Sequence, residues 1–127
     1  LVLVLRRELE DMPRKEILEE AAAIASIPDR LNRFQAALLA AAIARRQANS
    51  HRGFTDYSQL REIMEGPGGF VFAGWCGSAE CETKVREELK ATIRVLPFEE
   101  FRSETAPTKC LVCGADAQHE AVWARAY

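Results

Sequence analysis

The chain is short of the features that mark several common functional classes. Its longest strongly apolar run, Ala36 to Ala44, is nine residues, far below the roughly 20 needed to cross a bilayer as a helix. Leu1 to Leu5 are apolar, but nothing basic precedes them and no small-residue cleavage site follows, so a secretory signal is not indicated. The glycine stretch Gly66-Pro67-Gly68-Gly69 lacks the Lys and Ser/Thr that complete a phosphate-cradling loop. No base and nucleophile stand in a recognisable arrangement, so no reaction centre assembles from the residues. Histidine is scarce: His51 reads as a linker residue and His119 as a surface residue at the start of a strand. There is no repeat and no low-complexity tract. A cytoplasmic, non-membrane protein is the expectation.

Charge is nearly balanced overall, at −2 over 127 residues, but it divides unevenly. Residues 1–56 carry nine Lys/Arg against eight Asp/Glu, and residues 57–127 carry eight against eleven. An acidic second half repels phosphate, which argues against nucleic-acid binding there by charge alone. Arg45, Arg46, His51 and Arg52 form the one basic run. They read as a solvated helix end that complements the helix dipole, with a phosphate-contacting patch as the alternative.

What is present is an α+β pattern, a helical lead-in followed by a small mixed sheet with packed helices. Residues 1–5 read as a buried strand, after which Arg6 and Arg7 leave the sheet. The chain opens without methionine inside a strand-like run, which suggests a piece of a longer protein. Asp11-Met12-Pro13 reads as a helix start, with Ile17, Ala21, Ile24 and Ala25 at helical spacing. Pro28 is expected to interrupt that helix. A second helix is expected from about Asp29 to Asn49, with Leu31, Phe34, Leu38 and Ala41/Ala42 as its apolar stripe.

From residue 56 the signals sharpen. Asp56 with Gln59 makes a capping box, and Tyr57, Leu60 and Met64 line one face of the helix that follows. The glycine-proline stretch stops it. Phe70 to Trp75 reads as a strand, Ser78 as the cap of a helix over Ala79 to Leu89, and Thr92 to Leu96 as a strand ended by Pro97. Residues 99–109 read as loop, Cys110 to Gly114 as a tight knuckle, and His119 to Tyr127 as a last strand. Glu87-Glu88 reads as a solvated helix face.

All four cysteines fall into two close pairs, Cys76/Cys81 and Cys110/Cys113, in the pattern C-x4-C, 28 residues, C-x2-C. Two thiol pairs brought together by a fold supply four thiolates to one tetrahedral zinc ion. Cys81 shares a helical stripe with Val85 and Leu89, so its sulfur is expected to point inward. Cys76 precedes the same helix at its positive end, where a thiolate is favoured. A glycine after Cys113 suits a knuckle. Three other readings stay open: a redox C-x-x-C at 110–113, two disulfides, and four reduced core cysteines or a different metal. A catalytic zinc is disfavoured, because four thiolates leave no open coordination position.

Phe72-Ala-Gly-Trp-Cys-Gly-Ser-Ala-Glu-Cys81, Lys90-Ala-Thr-Ile-Arg-Val-Leu-Pro-Phe98, Cys110-Leu-Val-Cys113 and the closing Trp123-Ala-Arg-Ala-Tyr127 resemble, in order and approximate spacing, the C-terminal region of prolyl-tRNA synthetases of the archaeal/eukaryotic style. Leu1 to Arg7 resemble the last strand of that enzyme's anticodon-binding domain, and residues 8–55 its connecting helices, which leaves 56–127 as the C-terminal zinc-binding domain. The resemblance implies a parent class II ligase that uses ATP and Mg2+ to charge tRNA(Pro) with proline, usually as a homodimer. It implies a structural zinc on Cys76, Cys81, Cys110 and Cys113. It also implies that Tyr127 directs its terminal carboxylate toward the active site, and that the domain stabilises the parent's catalytic domain. A freestanding zinc module that binds RNA or protein is the alternative.

Overall fold

In the computed structural model, residues 1–4 and 12–126 are described. The chain divides into two compact units, Leu1–Gln47 and Ala48–Tyr127.

In the first unit, β1 (Val2–Val4) pairs antiparallel with β2 (Lys15–Ile17), with Leu3 opposite Glu16. Val2 and Val4 are exposed, so this strand is not the buried one its composition suggests. A two-stranded ribbon leaves both faces open unless another layer covers them. The pairing also corrects the expected helix start near Pro13: residues 15–17 extend against β1, and helix α1 begins only at Glu20. Asp11, Arg6 and Arg7 lie outside the described residues.

Helix α1 (Glu20–Ala48) runs without a break through Pro28, where the sequence suggested two helices. Proline in a helix interior costs about 3 kcal/mol. Eleven of the 29 residues of α1 are alanine, the best helix former. Side chains also tie the helix together across the proline. Ser26 Oγ donates to the Ala23 carbonyl, Arg30 Nε donates to Ser26 Oγ, and Arg30 reaches Glu16 at 2.6 Å. Of α1, only Ala23 is buried; Leu31, foreseen in an apolar stripe, is exposed.

The second unit is built on a four-stranded mixed sheet in the order β3-β4-β6-β5. Strand β3 (Ser50–His51) runs parallel to β4 (Phe70–Trp75), while β6 (His119–Arg125) pairs antiparallel with β4 and with β5 (Ala91–Val95). His51, read as a linker residue, is therefore a strand residue, and its Nε2 lies 3.1 Å from the Gly68 carbonyl. Two residues carry too little pattern to announce a strand.

Helices α2 (Tyr57–Glu65) and α3 (Ala79–Leu89) supply Leu60, Met64, Val85 and Leu89 to one core with Val71, Ala73, Ala91, Ala121 and Trp123. Val71 and Ala73 of β4 and Ala121 and Trp123 of β6 alternate toward this core, while Val122 and Ala124 are buried on the other face of β6. The capping box forms as read: Asp56 accepts from the Ser58 N–H at 2.7 Å, and Gln59 Oε1 accepts from the Asp56 N–H at 3.1 Å. Ser78 caps α3 by accepting from the Glu80 N–H.

Arg52 is committed within this unit. Its guanidinium lies 3.5 Å from the centre of the Phe72 ring and donates to Ser103 Oγ and the Phe101 carbonyl. That use sets it apart from a phosphate-contacting patch.

The position that matters most for the cysteines is Gly74, one strand residue before Trp75. The Leu111 N–H donates to the Gly74 carbonyl at 2.9 Å. A Cβ on residue 74 would collide with the Lys109 carbonyl oxygen and press on the Ala117 Cβ. Only glycine lets the 109–117 segment close against β4. Gly74→Ala is expected to destabilise the second unit by about 2 kcal/mol or more, because overpacking against backbone has little room to relax. Urea unfolding followed by tryptophan fluorescence checks this; an unchanged midpoint contradicts it.

Candidate metal centre

Four sulfur atoms meet beyond the end of β4. Cys76 follows the last residue of that strand, and Cys81 lies in the first turn of α3 with its side chain turned inward. Between them, Trp75 Nε1 donates to the Ser78 carbonyl, which folds the short connection back toward the strand. The other pair lies on a turn in which the Gly114 N–H donates to the Cys110 carbonyl at 2.9 Å and the Cys110 N–H to the Ala115 carbonyl at 2.7 Å. Each turn has a glycine directly after a cysteine: Gly77 at φ +84° and Gly114 at φ +73°. That left-handed backbone bends the chain away from the sulfurs at no side-chain cost.

The two turns are drawn together by the sheet. The Leu111 N–H bonds to the Gly74 carbonyl, and the Gln118 N–H bonds to the Trp75 carbonyl at 2.9 Å. These bonds flank the second turn and pin it to the strand that carries Cys76. The result is that all four Sγ atoms lie within 4.8 Å of one another. Cys76 and Cys81 are 3.6 Å apart, and Cys113 and Cys76 are 3.7 Å apart. Four thiolates bound tetrahedrally at about 2.3 Å stand about 3.8 Å from one another, so this donor set fits zinc. All four are free thiols, not disulfides.

The electrostatics point the same way. Burial pushes the Cys110 thiol up, but backbone N–H groups of Cys113, Val112 and Cys76 outweigh it and bring Cys110 down to about 7. Cys81 is pushed up, by burial first and then by Cys113 and Cys76. At Cys76 the Ser78 N–H favours the thiolate, as expected at a helix start. Burial and the sulfurs of Cys110 and Cys113 outweigh it, and the net direction is upward from 9.0. One thiolate forms readily and its neighbours resist. Four negative sulfurs this close are stable only around a cation.

Every cysteine singled out in the sequence is brought to one place. The histidines are not: His51 bonds Gly68, and His119 is exposed with its ring 6.0 Å from Trp75. Among the described residues no other group of three or more His, Cys, Asp or Glu side chains is disposed to hold a metal. Tyr127 lies outside the described residues. The sequence reading missed the backbone donors at Ser78 and Val112. An N–H carries no residue-type signal, although the cap at Ser78 was legible and locates one of them.

The fold and site together define a small α+β domain with a cluster of four cysteines at one sheet end that could hold a metal. Residues 57–127 match the family model for the prolyl-tRNA synthetase C-terminal domain. The chain belongs to that family. It is 41% identical over 117 residues to a proline–tRNA ligase of Rubrobacter xylanophilus, covering 92% of this chain and 23% of the relative. It is 36% identical over 134 residues to a proline–tRNA ligase of Symbiobacterium thermophilum, covering 98% of this chain and 26% of the relative. A solved prolyl-tRNA synthetase from Cryptosporidium parvum, complexed with L-proline and AMP, shares the fold at a TM-score of 0.77 and 24% identity, over 98% of this chain and 25% of its own. The chain thus spans about a quarter of the length of these relatives.

In metal-free protein, thiolate absorbance is expected to rise in a first step near pH 7 from Cys110. Cys76 and Cys81 follow only in alkali. Cys110→Ser should abolish the first step; a single step near the ordinary thiol value for all four would contradict this ordering.

Proposed function

We propose that this chain is the C-terminal zinc-binding domain of a proline–tRNA ligase, and that Cys76, Cys81, Cys110 and Cys113 hold one structural zinc. Family membership supports the first statement. The observation that carries the second is the meeting of two distant cysteine pairs within 4.8 Å. Zinc, when bound, supplies a closed four-thiolate coordination with no position for water or substrate.

The chain's own residues then have separable tasks. Cys76 and Cys81 anchor the end of β4 to the start of α3. Cys110 and Cys113 anchor the 110–114 turn. Gly74 and Trp75 bring that turn close enough for both pairs to be shared. The domain is a brace: it fastens the sheet end and does no chemistry itself. The parent protein would carry out ATP- and Mg2+-dependent charging of tRNA(Pro) with proline, in the cytoplasm and as a homodimer. Its catalytic and anticodon-binding domains would be this domain's partners. Residues 1–7 would close the anticodon-binding domain, and residues 8–55 would connect it to the zinc-binding domain at 56–127. No helix among the described residues is long and apolar enough to cross a membrane. We extend the proposal to Tyr127, whose terminal carboxylate would serve the active site of the parent.

Full-length protein is expected to contain about one zinc per chain by plasma emission spectroscopy. Cys113→Ser should lose it together with roughly 3 kcal/mol of domain stability, or about 12 to 24 °C in Tm for a domain of this size. A Cys113→Ser protein of unaltered Tm would refute the structural role. Deleting Tyr127 should leave melting and zinc content unchanged and slow prolyl-tRNA formation. Unaltered turnover would remove Tyr127 from the account.

A further inference from the structure

The four cysteines are not equally exposed. Cys81 and Cys110 are 8% and 2% exposed, Cys76 is half-buried, and Cys113 is exposed. The Sγ atom of this exposed residue lies 3.7 Å from that of Cys76, a residue of the other turn that is itself partly exposed. Cys110, three positions before it, is buried and accepts backbone N–H bonds from Val112 and Cys76. A reactive cysteine of the redox-sensing kind needs access and a second sulfur within reach. Cys113 has both.

We propose that Cys113 is an oxidation site, and that hydroperoxides convert Cys113 and Cys76 into a disulfide that opens the metal centre reversibly. This rests on the zinc reading above. In the first step the Cys113 thiolate attacks one peroxide oxygen. A sulfur–oxygen bond forms, the oxygen–oxygen bond breaks, and its electron pair leaves as hydroxide or alkoxide. In the second step the Cys76 thiolate attacks the sulfenic sulfur of Cys113. The sulfur–sulfur bond forms and hydroxide leaves. Two thiolates have each given up one electron, and the peroxide has accepted two.

Cys81 and Cys110 then remain as two thiolates, too few to close a tetrahedral site. The disulfide nonetheless joins the same two turns that the metal joined, across 37 positions of chain. It therefore holds the sheet end in a near-native arrangement from which reduction restores the thiol set. A disulfide between Cys110 and Cys113, the pairing that the C-x-x-C spacing suggests, would leave the two turns unlinked.

The test uses full-length protein, with zinc measured before hydrogen peroxide is added. Absence of zinc at that point contradicts the metal reading, while the disulfide map still judges the oxidation site. Trypsin cuts after Arg61, Lys84, Lys109 and Arg125, so Cys76 and Cys81 share one peptide and Cys110 and Cys113 another. Non-reducing mass spectrometry should find these two peptides cross-linked through Cys76 and Cys113. Zinc should appear in step, as read by a chromogenic chelator, and dithiothreitol with added zinc should reverse both. Disulfides confined within each peptide, or zinc release with Cys113 unmodified, overturn the proposal. Because Cys113→Ser is expected to lose the metal, a second measurement uses the unaltered protein. Limiting N-ethylmaleimide should label Cys113 about tenfold faster than Cys110, and labelling of Cys110 or Cys81 first overturns it.

Discussion

The constraint at the sheet end of the second unit is the meeting of four cysteine Sγ atoms within 4.8 Å of one another. Two turns from distant parts of the chain must each offer two thiolates, and the thiolates repel. A cation at the centre would turn that repulsion into attraction. Without it, the same arrangement forces Cys76 and Cys81 to stay protonated while Cys110 ionises near neutral pH. The site could hold a metal, and its surroundings favour charge on the sulfurs. The backbone N–H groups of Ser78, Val112, Cys113 and Cys76 point at sulfurs and prepare negative charge that only a cation can balance.

The sheet makes that convergence possible, and its demands explain residues that carry no chemistry. Gly74 permits the 109–117 segment to lie against β4, and Trp75 holds both the Ser78 carbonyl and the Gln118 N–H. The core beneath, with Trp123, Leu60 and Leu89 fully buried, fixes α3 against the strands and so fixes Cys81. Leu111, next to Cys110, belongs to the same core as Leu60 and Met64 of α2.

How much of this was legible in the sequence followed from how local the cause was. The capping box at Asp56, the cap at Ser78, the strand Phe70–Trp75 and the stripe Cys81, Val85, Leu89 are short-range patterns, and each appears where it was read. The cysteine spacing announced the candidate site because thiol pairs have few other uses at such separations. The first unit was read less well. Residues 15–17 became a strand because residues 2–4 pair with them, a partner no local pattern reveals. Pro28 failed to break α1 because alanine-rich flanks and the Ser26–Arg30–Glu16 contacts outweigh its cost. His51 joined the sheet through a two-residue parallel pairing too short to leave a signature. The close approach at Gly74 needed coordinates, since a glycine in a strand has several meanings.

Zinc K-edge X-ray absorption on the purified full-length protein distinguishes a four-sulfur centre from any other coordination. Four sulfur scatterers at about 2.3 Å are expected, with no nitrogen or oxygen in the inner coordination sphere. A spectrum requiring histidine nitrogen, or fewer than four sulfurs, would contradict that expectation.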